Sequence, residues 1–127
     1  MHYLVGADSV HTTAAACDYL EERVTADDAV TAVAVASPGD PTERRDAEEA
    51  LNVARVRLFD VGDLETAIRE GEPADELLEA ATEFDADELV IGARGGRPDA
   101  TADVGGTARA ILARADRPVV VVPMPEL

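Results

Sequence analysis

Apolar runs of strand length take turns with helix-length stretches in which apolar residues recur every three or four positions, and this alternation restricts the chain more than any other feature. The runs are residues 3–7, 30–36, 89–93 and 119–122. Continuous apolarity of that length suits strands covered on both faces. The pattern therefore predicts a mostly parallel sheet with helices on each side.

Between the first two runs Thr13, Cys17, Leu20 and Val24 form one helical stripe behind a capping pair, Asp8 and Ser9. Cys17 lies on that stripe and reads as a small buried hydrophobe, with no basic neighbour in sequence to activate its thiol. Residues 53–59 have the β-branched content of a strand, but Ala47, Ala50, Leu51, Ala54 and Leu58 keep a helical rhythm. With Asp40-Pro41-Thr42-Glu43 as a start and Gly62 as a stop, a helix over 41–59 is expected. The third strand then falls at 64–69, where Leu64, Thr66 and Ile68 alternate with Glu65, Ala67 and Arg69 as on a half-exposed edge. Gly71-Glu72-Pro73 turns the chain into a helix with the stripe Ala74, Leu77, Leu78, Ala81 and Phe84. Ala108, Ile111, Leu112 and Ala115 mark the last helix. The reading is α/β: one domain over residues 1–127, doubly wound, with five parallel strands in the order 3-2-1-4-5 and helices on both faces.

Composition removes several function classes. The 127 residues carry 27 acids against 11 basic residues, a net charge of −16. Such a surface repels phosphate backbones and anionic lipid, so neither nucleic acid nor membrane is an expected partner. All 11 basic residues are arginine. Without lysine there is no Walker-A phosphate contact, no Schiff base and no kinase-type phosphate clamp. Acid-rich, lysine-free composition with 3% aromatics is what adaptation to molar salt in a halophile's cytosol would produce. The single cysteine excludes an intramolecular disulfide and a Cys-rich zinc site. The start lacks a signal-peptide pattern and no apolar run reaches membrane-span length, so a cytoplasmic protein is expected.

A doubly wound sheet binds ligands beyond the carboxyl ends of its strands, where the winding direction reverses. Here that point lies between the segment starting at Ala7-Asp8-Ser9 and the segment 92–107. The second holds Gly92, Gly95, Gly96, Gly105 and Gly106, the last pair opening the final helix. Glycines let backbone N–H groups approach an anion, and a helix amino terminus favours one. Arg94 and Arg97 add charge-assisted donors for a phosphate, while Asp99 and Asp103 oppose it. The same glycines serve equally well as plain turns of an acidic surface loop.

These residues resemble the universal stress protein family, within the adenine-nucleotide α-hydrolase-like group, over essentially the full chain. The resemblance is carried by Leu4-Val5-Gly6-Ala7-Asp8, Gly71-Glu72-Pro73, Asp87-Glu88-Leu89-Val90-Ile91-Gly92 and Arg117-Pro118-Val119-Val120-Val121-Val122-Pro123. Its most diagnostic element is Gly-x2-Gly-x9-Gly followed by serine or threonine, matched in spacing by Gly92, Gly95 and Gly105. The resemblance implies ATP or another adenine nucleotide, with Mg or Mn bridging its phosphates. It implies that Asp8 and the Val35 backbone meet base and ribose, and that Gly92, Gly95, Gly105 and the backbone N–H groups after them hold ribose and phosphates. One position departs: Gly106 stands where the family has its phosphate-contacting hydroxyl, and Thr107 follows one residue later.

Two readings stay open. One is a stress-response module that binds nucleotide; the other is a dimeric interaction or sensor module of the same fold that binds none. Family dimers use the last strand, so the resemblance implies a homodimer through Val119, Val120, Val121 and Val122, with Pro123 and Pro125 limiting further pairing. A response-regulator receiver is excluded by the missing lysine. His2 and His11 form no catalytic or metal-spaced cluster, and His11 reads as a solvated helix-start residue. No catalytic residue is assigned, and slow ATP hydrolysis is the most chemistry expected.

Overall fold

A computed structural model describes residues 1–93 and 105–123. The elements run β1 (His2–Gly6), α1 (Val10–Glu21), β2 (Ala29–Ala36), α2 (Pro41–Arg57), β3 (Leu64–Glu70), α3 (Pro73–Glu83), β4 (Glu88–Gly92), α4 (Gly106–Arg114) and β5 (Val119–Val122). All strand pairings are parallel and the sheet order is β3-β2-β1-β4-β5, as the apolar runs predict.

Alternation along the central strands divides the core in two. Tyr3, Val5, Val30, Ala32, Ala34 and Val90 turn to one face, where Ala16, Cys17 and Leu20 of α1 and Ala50, Leu51 and Ala54 of α2 cover them. Leu4, Val33, Leu89 and Ile91 turn to the other, against Ala74, Leu77 and Ala81 of α3 and Ile111 of α4. A side-chain period of two makes both faces of a central strand apolar, which is why these runs are continuous in sequence.

Local signals placed the helix starts. Ser9 caps α1 by accepting the Thr12 N–H at 3.2 Å, and Asp40 caps α2 by accepting the N–H groups of Thr42 and Glu43 at 3.0 Å each. Several ends differ from expectation. α2 stops at Arg57 because Leu58 leaves helical geometry while its N–H still bonds to Ala54, which sends Phe59 into solvent. α1 ends at Glu21, so Val24 packs from the following turn. Leu112, expected on the inward stripe of α4, is 49% exposed; α4 is short and buries only Ala108 and Ile111. Ala80, absent from the predicted α3 stripe, is fully buried.

Arg117, in the turn before β5, fastens the far end of the sheet. Its Nη1 donates to the carbonyls of Ala81 and Ala86, each at 2.7 Å, tying the entry of β5 to the α3–β4 turn. Among the described residues no helix is long and apolar enough to cross a membrane.

Candidate functional site

The winding reverses between β1 and β4, and a crevice of about 510 Å³ opens there. Gly6 ends β1 at its floor. A Cβ on Gly6 would stand 3.2 Å from Leu77 Cδ1 and 3.3 Å from Ile91 Cγ2, tight enough that both side chains would have to shift by a few tenths of an ångström.

The β2 wall offers backbone groups. The Val33 carbonyl accepts the Ala7 N–H at 2.8 Å, and the Ala36 carbonyl accepts the Gly71 N–H at 3.0 Å on the β3 side. Backbone groups alternate sides along a strand, so Val35 directs its N–H and C=O toward the β1 side, past the point where β1 has ended. Val35 therefore presents a donor and an acceptor to the crevice whatever its side chain is.

The opposite wall is the start of α4. Gly105 is its N-cap and supplies no side-chain hydrogen bond. The Gly105 N–H is already engaged, donating to the Ala93 carbonyl at 2.7 Å, so the amides that open α4 are those of Gly106, Thr107 and Ala108. Among the described residues no cap of the kind Ser9 and Asp40 provide covers them, and the aligned peptide dipoles add about half a positive charge at this end. Backbone donors plus that charge suit an anionic group.

Six of the eight residues predicted for this site line the crevice: Asp8, Val35, Gly92, Gly105, Gly106 and Thr107. Arg94 and Gly95 lie outside the described residues, as do Gly96, Arg97, Asp99, Asp103 and Pro125. Sequence reading did not anticipate Thr12, Glu43 and Leu77, which also line it. Thr12 is buried, with Oγ1 2.8 Å from the Ser9 hydroxyl. Glu43 sits in the first turn of α2, its Oε1 accepting the Ser37 N–H at 3.3 Å. The Glu43 N–H holds the Asp40 carboxyl below the usual carboxylate range. The one available signal for Glu43 was its place three residues into a capped helix that follows β2.

Beside the crevice lies an acidic lobe of about 440 Å³ that shares Asp8, Val35 and Glu43 and adds Asp46 and Glu49. His11 and Cys17 line neither space. His11 is exposed, as expected, and burial pushes the Cys17 thiol up to about 12, leaving it protonated and unreactive at neutral pH. Among the described residues no group of three or more His, Cys, Asp or Glu side chains is placed to hold a metal ion.

A profile of the universal stress protein family matches residues 1–123. No curated protein matches the chain. Solved structures of similar fold include a universal stress protein from Archaeoglobus fulgidus, 25% identical with a TM-score of 0.81, the match covering 96% of this chain and 98% of that one. The Archaeoglobus fulgidus protein in complex with dAMP matches at 24% identity and TM-score 0.78, over 96% and 97% of the two chains. A family protein from Arabidopsis thaliana with AMP bound matches at 16% identity and TM-score 0.74, over 98% and 92%.

Proposed function

The chain belongs to the universal stress protein family, and from that premise we propose that it is a stress-response module whose crevice beyond β1 and β4 binds an adenine nucleotide. The observation that carries this reading is the pairing of two walls in one cavity: the outward-facing backbone of Val35 on one side and the uncapped start of α4 on the other. A backbone donor and acceptor suit the amino and ring-nitrogen edge of adenine, while Gly106, Thr107 and Ala108 suit a phosphate. Asp8 lines the same crevice and supplies an acceptor suited to a ribose hydroxyl. The AMP and dAMP complexes of the similar proteins support the same ligand class.

Among the described residues no group of side chains builds a site for Mg or Mn. A cation arriving with a polyphosphate would take its ligands from phosphate oxygens and water. No catalytic role is assigned to any side chain.

Equilibrium dialysis against labelled AMP in molar KCl tests the proposal. Saturable binding at one per protomer is the expected result. Absence of binding would overturn it and leave the interaction-module reading, which the free edge of β5 favours. Val119, Val120 and Val121 are only half-buried in the protomer, and no described strand covers their outer side. We assign a homodimer to that edge. Light scattering on the same sample is expected to give twice the chain mass, and a monomer at micromolar concentration would refute the assignment.

A cytosol rich in salt is the setting proposed for this chain. With a net charge of −16, self-repulsion should fall as KCl rises from about 0.1 M to about 1 M and the Debye length shrinks from ~10 to ~3 Å. The thermal midpoint is expected to climb over that range; a protein most stable in dilute buffer would contradict the assignment.

A further inference from the structure

The charge lining the crevice is lopsided. Among the described lining residues the side chains with formal charge are Asp8 and Glu43, both acidic, and the adjoining lobe adds Asp46 and Glu49. In sequence, Arg94 and Arg97 are matched by Asp99 and Asp103, and the chain has no lysine. Against these stands the partial positive charge at the start of α4. That charge answers to one phosphate. Each further phosphate brings more negative charge toward the carboxylates of the described lining.

Glu43 is the best defined of these carboxylates. Its N–H donates to Asp40 Oδ1 at 3.0 Å and its Oε1 accepts from Ser37 at 3.3 Å, which holds both the backbone and the head group where Glu43 lines the crevice. We infer that the crevice selects adenine nucleotides of low charge, a nucleoside monophosphate ahead of the triphosphate, and that Glu43 is a specificity-determining residue in that selection. The inference rests on the nucleotide-binding reading above and adds to it the charge class of the ligand.

Dissociation constants for adenosine, AMP and ATP, without divalent cation and at the lowest KCl that keeps the protein folded, test it. AMP is expected to bind more tightly than ATP. Glu43→Gln retains an oxygen acceptor for Ser37 and removes only the charge. One unit charge ~10 Å from the two or so extra charges of ATP corresponds in water to about fourfold, so the variant should narrow the AMP:ATP preference by about that factor. Glu21→Gln, the same change of net charge at the far end of α1, should leave the ratio as it was. If the Glu43→Gln variant fails to fold, the wild-type ratio across a KCl series decides, since screening should narrow it. ATP binding as tightly as AMP, a ratio indifferent to Glu43→Gln, or a ratio flat in salt would overturn the inference with nucleotide binding intact. Failure of adenosine, AMP and ATP alike to bind removes the nucleotide reading itself, and the inference with it.

Discussion

Gly106→Asp is expected to weaken AMP binding by at least about fivefold while leaving the chain folded. Gly106 is the first residue of α4, and among the described residues nothing lies within 4 Å of where its Cβ would stand, so none of them obstructs a Cβ there. For the helix the change is favourable: it removes a glycine, worth ~0.5–1 kcal/mol, and places an acid at the positive end of the dipole, worth ~0.3–1 kcal/mol. For the ligand it is adverse. A carboxylate ~4 Å from a phosphate charge costs about 1–4 kcal/mol between the limits of water and a protein surface, hence about fivefold to several hundredfold. A thermal midpoint held or raised together with lost affinity separates this from simple damage. Unchanged affinity would put the phosphate somewhere other than the start of α4. Gly106→Ser makes the reverse case, because a hydroxyl there supplies a charge-assisted hydrogen bond of ~1.5–3 kcal/mol. An affinity gain of about tenfold is the expected result, and it is measured by the same dialysis.

Arg117→Ala is expected to cost about 2–3 kcal/mol of stability. The Arg117 side chain is only 15% exposed, and Nη1 alone satisfies two carbonyls, those of Ala81 and Ala86. Ala81 keeps a second partner in the Ala86 N–H at 2.9 Å. Ala86 has no other partner among the described bonds, so its carbonyl bears most of the loss, ~1–3 kcal/mol for a buried acceptor left unmade. Urea denaturation reads the change as a lower midpoint at unaltered slope. A loss below ~0.5 kcal/mol would mean that the bond to Asp116 and the packing around it, not the two carbonyls, are what Arg117 provides. The substitution lies at the opposite end of the sheet from the crevice, so AMP affinity should stay unchanged in the folded variant.

Much of the fold was legible because its determinants are local. Apolar runs of four to eight residues mark strands buried on both faces. Ser9 and Asp40 sit immediately before helices and satisfy their first amides, so α1 and α2 begin where the caps are. Helix ends were read less well. Phe59 follows Leu58 in an unbroken apolar rhythm, but α2 has already lost its geometry there. Leu112 shows the limit of periodicity on a short helix: whether a residue at that angle is covered depends on how far the neighbouring α3 and β5 reach, which no spacing within α4 records.

The candidate site divides along the same line. Asp8, Val35 and the glycines were reachable through a motif, since each sits at a strand end or a helix start that the chain itself marks. Glu43, Thr12 and Leu77 come from three different helices and meet only because β2, β1 and β4 end side by side. By itself, then, the sequence determined the strands, the helix starts, the acidic surface and the family, which follow from hydrophobic period, capping, composition and motif, while the strand order followed from the common doubly wound arrangement. Only the tertiary structure decided that the Gly105 N–H is engaged by Ala93, that Thr12, Glu43 and Leu77 join the crevice, and that acidic side chains dominate its described charged lining. Those depend on register and on contacts between residues far apart in the chain, and no local rule of chain geometry reaches that distance.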